Sequence, residues 1–255
     1  MTFFWRRIHS LMGLWLVIYL FEHLLTNSLT TFAIGDDGRG FVRMVNSLES
    51  LPYLRAIEIL LIGVPILVHG IWGVRRALSA RTNDLPSEGN TPALPYGRNH
   101  AFTWQRVTSW ILLFGILGHV AQMRFWEQPK EIGHDLFSTE VSGDPGLPDL
   151  AERLHVQLVP DGENCWIAIS SDPGTGMLLM VRDIFKSSWM MVLYTIFVLS
   201  AAFHAFNGLW TFLITWGLLL SLRSQRAAIP FAWCGVALLA FWGVAATWCY
   251  WVNLR

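Results

Sequence analysis

The stretch AAFHAFNGLW, residues 201–210, decides the reading: His204 stands among apolar residues inside a run long enough to cross a bilayer. Three further histidines share that setting, His23 in LFEHLLTN, His69 in ILVHGIWGV and His119 in ILGHVAQMR. Ionisable side chains at membrane depth are costly and are kept mainly where they bind, relay or ligate something. Four of them suggest two pairs.

The composition sets the class. Of 255 residues, 53% are hydrophobic, 14% are charged and fourteen are Trp, which lies outside the usual soluble range. Apolar windows of about 20 residues or more fall at roughly 11–34, 56–79, 107–126, 188–221 and 230–252, and predict five transmembrane helices. The fold class expected is therefore an all-α membrane protein, with four histidine-bearing helices in a bundle and a fifth, without histidine, packed beside them. The whole chain, 1–255, reads as a single integral membrane domain, with 127–186 as an extended outer loop within it.

A net charge of zero hides an asymmetry. Arg6 and Arg7 precede the first span, Arg75, Arg76, Arg81 and Arg98 lie between the second and third, and Arg223 and Arg226 between the fourth and fifth, opposed only by Asp84 and Glu88. The positive-inside rule makes these segments cytoplasmic, which puts the N-terminus inside and the C-terminus outside. The first apolar run is too long for a signal peptide and no small-residue cleavage site follows it, so it is expected to remain as a span. Cys165, Cys234 and Cys249 show no CxxCH or CxxC spacing, so neither covalent haem attachment nor a cysteine metal site is indicated.

Helix rise places the histidines in height. His23 and His119 lie about fourteen to sixteen residues past the cytoplasmic start of their spans, roughly 20–24 Å up at about 1.5 Å per residue. His69 and His204 lie on spans running the other way, roughly 10–17 residues past their outer starts, at mid-membrane or nearer the cytoplasm. Two level pairs result. Facing helices of a bundle can present two imidazoles to the two faces of one flat macrocycle. Two imidazole ligands fill both axial positions of a haem iron and favour electron transfer over oxygen chemistry, and two stacked haems would conduct across the membrane. A solitary buried histidine is more often a hydrogen-bonded core residue or a proton relay; the matching of four is what argues for ligation. His9 and His100 fall at the cytoplasmic boundary, in contact with solvent, headgroups or a haem propionate, and His134 and His155 in the outer loop are expected to be solvated.

These residues carry a resemblance. RRIHS (6–10), FEHLLTN around His23, LVHGIWG around His69, WQRVTS (104–109) leading to GHVAQMR, FHAFNGLW, and LRSQR (222–226) together resemble the five-helix, di-haem cytochrome b anchor of succinate dehydrogenases and fumarate reductases, over most of the chain and in order. The resemblance implies an electron-transfer subunit of the bacterial inner membrane. It would bind a flavoprotein and an iron–sulfur protein on the cytoplasmic side and exchange electrons with quinone, menaquinone rather than ubiquinone. It implies two haems b, the proximal one held by His69 and His204 and the distal one by His23 and His119. His9, Ser10 and Arg106 match positions near the proximal propionates, and Arg182 and Lys186 stand at the level of the distal haem. Quinone chemistry needs proton carriers, for which Glu49 and Glu58 are the candidates on the distal side, with Glu22 beside His23. The glutamate that some fumarate-reducing relatives carry shortly before the ligand of the fourth helix is Ala202 here, which counts against a proton route of that type. No glycine-rich dinucleotide motif or cysteine cluster is present, so the chain alone is not expected to oxidise succinate.

The outer loop departs from the family in length. RLHVQLV (153–159) and CWIAIS (165–170) alternate about the turn PDGEN and predict a small β-hairpin, and GMLLMVRDIFK (176–186) reads as an interfacial amphipathic segment. The linker 79–103, with Pro86, Pro92 and Pro95, is expected to be irregular. Asn207 and Gly208 read as a helix-packing pair. Two other readings stay open: a di-haem cytochrome b serving a hydrogenase or formate dehydrogenase, and a haem-free transporter using the histidines as proton relays. The absence of an evident inverted repeat counts against the transporter.

Overall fold

The computed structural model describes residues 2–32, 35–84, 93–133 and 135–255, apart from the side chain of residue 2. His134 and the stretch holding Pro86, Glu88 and Pro92 lie outside the described residues. Helix α1 (Thr2–Ser28) is followed by α2 (Arg39–Glu49) and then by α3 (Leu54–Ile57), a π-helical turn (Glu58–Gly63) and α4 (Val64–Ser79), which run on as one helical stretch. Helix α5 (Gly97–Val120) continues into a second π-helical turn (Ala121–Trp126). Strands β1 (Lys130–Gly133) and β2 (Leu136–Ser142), helix α6 (Leu147–Arg153), strands β3 (Gln157–Pro160) and β4 (Cys165–Ser170) and helix α7 (Pro173–Lys186) come next. Helices α8 (Ser188–Thr215), α9 (Leu222–Ala227), α10 (Ile229–Thr247) and α11 (Cys249–Val252) complete the order.

Among the described residues, four stretches are long and apolar enough to cross a membrane: Phe3–Ser28, Leu54–Ser79, Ser188–Thr215 and Leu222–Thr247. Many of their outward residues are large and apolar; Leu60, Leu67 and Ile71 are 63%, 62% and 70% exposed, a surface that lipid covers favourably and water does not. The stretch expected as the third span belongs to α5 and its π-helical turn. That helix starts at Gly97, ahead of the apolar window, and its early turns carry Arg98, His100, Gln105 and Arg106, whose polarity separates it from the other four.

Contacts divide the chain into two compact units, residues 1–21, 55–115 and 197–240 in the first and 22–54, 116–196 and 241–255 in the second. In the first unit, glycines let helix backbones approach. A Cβ on Gly235 would lie 2.0 Å from the Phe206 ring, and one on Gly115 would lie 2.4 Å from that of Phe197. Gln105 ties α5 to α8, donating to the carbonyl of His204 and accepting from Asn207 Nδ2 at 2.7 Å. Asn207 thus bonds between helices, whereas a Cβ on the neighbouring Gly208 would meet only Gln105, at 3.7 Å. Ser221 and Ser224 cap α9 reciprocally, and Trp210 donates to the Gln225 carbonyl at 3.0 Å.

The second unit corrects three expectations. Residues 39–49, expected as part of a polar loop, form the amphipathic helix α2, which buries Phe41 and Val45 against α7. The hairpin predicted at 153–170 is part of a four-stranded antiparallel sheet in the order β1-β2-β4-β3, because the preceding residues 130–142 also pair as strands. The segment 176–186 is not an interfacial helix. Leu178, Leu179, Met180, Val181, Ile184 and Phe185 of α7 are all buried, so apolar residues occupy more than one face. Leu178 and Phe185 join α2, Cys249 and Leu254 in one core, and Leu179 joins Val141, Leu147, Leu150 and Ala168 of the sheet and α6 in another. The start of α7 is fixed by Asp172, which accepts from Thr175 N and from Asn46 Nδ2 at 2.9 and 2.7 Å.

Candidate functional site

In the first unit, His69 Nδ1 lies 3.0 Å from the backbone carbonyl oxygen of His9. A carbonyl only accepts, so Nδ1 carries the proton and Nε2 keeps its lone pair. The two rings stack, with centroids 4.0 Å apart and planes 13° apart. Gly13 makes room for this arrangement, since a Cβ there would lie 2.9 Å from His69 Cε1. The His204 ring lies 6.3 Å from that of His69, with the planes at 77°. His204 Nδ1 is 3.3 Å from Thr108 Oγ1, and the single proton of that hydroxyl goes to the Trp104 carbonyl at 2.7 Å. Thr108 therefore accepts from His204 Nδ1, which again leaves the Nε2 lone pair.

The second unit repeats the pattern. His23 and His119 have ring centroids 5.8 Å apart, with planes at 83°. His119 Nδ1 is 3.4 Å from Tyr194 Oη, and Tyr194 donates its own proton to Gln122 Oε1 at 3.0 Å. Tyr194 thus accepts from His119, whose Nε2 is likewise left with its lone pair. Asn27 donates to the His23 carbonyl at 2.8 Å. Each predicted pair therefore meets within one unit, and three of the four rings are hydrogen-bonded so as to present Nε2 as a ligand atom.

The residues expected around these pairs divide. Arg7, read from the sequence only as a topology charge, has its guanidinium over the rings of Phe3 and Trp216, at 5.0 and 4.5 Å. Its Nη1 and His9 Nδ1 are buried without a hydrogen-bond partner, an unfavourable arrangement that an anionic or accepting group at this place would relieve. Ser10 donates to the Arg7 carbonyl at 3.0 Å and accepts from Trp216 Nε1 at 2.9 Å. Arg106 lies over Phe102, 3.6 Å from its centroid, and donates to that residue's carbonyl.

Arg182 and Lys186, expected beside a haem, are committed elsewhere. Arg182 is 1% exposed, bonds Asp144 through both terminal nitrogens at 2.8 Å and donates from Nε to the Leu254 carbonyl. Lys186 reaches Asp144 at 2.7 Å, Asp183 at 2.8 Å and the Ser142 carbonyl at 2.5 Å. With their donors taken by protein groups, both hold the second unit together. Glu22 accepts from Thr26 at 2.9 Å. Glu49 ends α2 in the second unit, Glu58 opens the π-helical turn of the first, and each is engaged in contacts of its own.

Outside the spans, His100 is not simply solvated. Its Nδ1 lies 2.9 Å from the buried Asp84 carboxylate, which also accepts from Thr103 at 2.5 Å. The Thr103 bond and then the His100 bond hold the Asp84 carboxyl below its ordinary value, against the effect of burial. His155 is exposed on a left-handed backbone, φ 57°. Among the described residues no group of three or more His, Cys, Asp or Glu is placed to hold a metal ion.

No family model matches the chain. It is similar to the succinate dehydrogenase cytochrome b558 subunit of Bacillus subtilis (strain 168), with 30% identity over 225 residues, 88% of this chain and 85% of that protein. The chain belongs to the succinate dehydrogenase cytochrome b subunit family. As a membrane-anchor cytochrome b subunit it is part of an enzyme complex of electron transport. Its apolar helices suit that anchoring role.

Proposed function

We propose that the chain binds two haems b, each through two histidines, and carries electrons between the iron–sulfur subunit of a succinate:quinone oxidoreductase and membrane quinone. The observation that carries this reading is the pair of imidazole pairs, with ring centroids 6.3 Å apart at His69 and His204 and 5.8 Å apart at His23 and His119. Two imidazoles holding one iron through bonds of about 2 Å, each ring about 1 Å in radius, would have centroids about 6 Å apart, and the separations in both pairs are of that size. When bound, the haem would supply one-electron chemistry; the residues would supply the nitrogens that hold it, their protonation pattern and their surroundings.

His69 and His204 would hold the proximal haem and His23 and His119 the distal one. His9, Ser10 and Arg106 would serve the proximal propionates, and Arg7 joins them because its unpaired nitrogen calls for an acceptor. Glu49 and Glu58 are proton carriers for quinone in this reading, with menaquinone the expected quinone. Five spans, an outer loop over 127–186 within one membrane domain, a cytoplasmic N-terminus and an outer C-terminus complete it, in a bacterial inner membrane. The flavoprotein and iron–sulfur subunits would dock on the cytoplasmic side and hold the dicarboxylate site, which this chain lacks. The likeness to a succinate dehydrogenase subunit favours this over a hydrogenase or formate dehydrogenase cytochrome and over a haem-free transporter. The test is a reduced-minus-oxidised spectrum with a pyridine haemochrome assay on the purified complex. Two haems b per chain are expected; none overturns the reading.

A further inference from the structure

The hydrogen-bond acceptors behind the histidines differ in kind. Behind His69 it is a backbone carbonyl, which no substitution removes, whereas behind His204 and His119 it is a side-chain hydroxyl, Thr108 and Tyr194. Tyr194 is itself held on two sides. Its ring packs edge-on against Phe185 and His119, at centroid distances of 5.1 and 5.8 Å, and its proton is taken by Gln122. Gln122 lies three residues after His119, on the same side of the helix, in the π-helical turn Ala121–Trp126. The result is a chain in which His119 donates to Tyr194 and Tyr194 donates to Gln122. Each donation polarises the next group, so the phenol oxygen is a better acceptor for the imidazole than an isolated phenol would be.

Resting on the two-haem reading, we propose that Tyr194 is a positioning residue that sets the electron-donating strength of His119, with Gln122 as its support. An imidazole whose Nδ1–H is held by a strong acceptor is a more basic ligand through Nε2. A more basic axial ligand stabilises the oxidised iron, so hydrogen bonding behind the ligand lowers the reduction potential of the haem it serves. The phenol also fixes the ring's rotation, which a packing role alone would do equally well. A potential is therefore the readout that separates the two roles.

The experiment is redox titration, read optically and by low-temperature electron paramagnetic resonance, on the purified complex carrying Tyr194→Phe, with Thr108→Val as the counterpart for the other haem. Tyr194→Phe keeps the ring and removes the acceptor. It is expected to retain two haems per chain while one midpoint rises, so that the reduced-to-oxidised ratio of that haem increases several-fold at fixed potential. Its ferric signal shifts and the other haem is unchanged. Thr108→Val is expected to move the other midpoint. Unchanged midpoints and signals in Tyr194→Phe, or a shift on the same haem that Thr108→Val moves, overturn the proposal. Should Tyr194→Phe fail to assemble, Gln122→Leu decides: a smaller upward shift of the same haem supports the proposal and no shift overturns it. Absence of haem from the unsubstituted complex is a separate outcome, which defeats the two-haem reading itself.

Discussion

His69 donates from Nδ1 to the backbone carbonyl of His9 across 3.0 Å, so the protonation pattern of a membrane histidine is fixed by the main chain of another helix. The bond ties the register of α1 to that of α4 and leaves Nε2 as the only ring atom of His69 with a lone pair to offer. It also separates two roles of residue 9. The carbonyl survives any substitution, while the imidazole, stacked on His69 with an unpaired Nδ1, does not.

That separation makes Gly13 a sharper probe of the pair than His9. A methyl group at 13 would lie 2.9 Å from His69 Cε1 and 3.2 Å from Nδ1, closer than a helix-bound imidazole can accept, so the ring has to move off the His9 carbonyl. Gly13→Ala is expected to leave the helical content by circular dichroism unchanged and to lower the haem count from two to one per chain in the haemochrome assay. Two haems with unaltered spectra would show that the position of the His69 ring is immaterial.

Pairing predicts non-additivity. His69→Ala and His204→Ala are each expected to remove one haem per chain, and the double variant to remove no more, because both substitutions act on one site. His69→Ala combined with His23→Ala is expected to remove both. Haem stoichiometry and succinate-to-quinone electron transfer are the measurements; a variant lacking His69 that keeps both haems would break the assignment.

The histidine pairs were legible in the sequence because helix direction and rise are set by local rules. A residue's height follows from counting, and the two candidates at one height, His69 with His204 or His23 with His119, lie within 6.3 Å of each other in the folded chain. Their partners were not legible. Thr108 and Tyr194 are ordinary in an apolar helix, and only the packing of α5 and α8 brings their hydroxyls to an imidazole. Arg7 was hidden for a different reason, since a cation at a span boundary already has an explanation in topology. In the outer region, Arg182 looked like an interfacial cation because its acceptors, Asp144 and the Leu254 carbonyl, are 38 and 72 residues away. The helix Arg39–Glu49 was missed because three glycines in and beside it, Gly35, Gly38 and Gly40, signalled turns. Gly38, at φ 73°, does mark a turn, directly before the helix begins.

Helix approach in the first unit depends on Gly235, whose hypothetical Cβ lies 2.0 Å from the Phe206 ring. Neither backbone nor ring can absorb that overlap without shifting α10 from α8. Gly235→Ala is expected to destabilise by about 1–3 kcal/mol, the usual range for overpacking. Thermal unfolding of the detergent-solubilised complex would read it as a lowered Tm, and an unchanged Tm would mean that the two helices separate freely.

The buried Arg182 makes the second unit sensitive to acid. Asp144 faces Arg182 and Lys186, and Lys186 is shared with Asp183. Burial alone would raise the Asp144 carboxyl, but hydrogen bonds from Arg182 and Lys186 and their charges outweigh it and hold the carboxyl well below the ordinary carboxylate range. A depressed folded-state value means that the stabilisation is fully present above the unfolded value, about 3.9 for aspartate, and is lost as pH falls through the lower folded one. The pair is therefore expected to contribute at neutral pH and to fade only in strong acid, below about pH 4. Asp144→Asn leaves a guanidinium that is 1% exposed with no counter-charge on its terminal nitrogens, which is expected to cost about 3–5 kcal/mol near neutral pH and much less in acid. Hydrogen exchange of α7 and the Asp144 loop, followed from pH 7 down to pH 3, measures this directly. The gap between wild type and variant should be widest at the upper end and begin to narrow only below about pH 4, whereas curves that stay parallel down to about pH 3 would mean that the charge on Asp144 does not hold Arg182 in place.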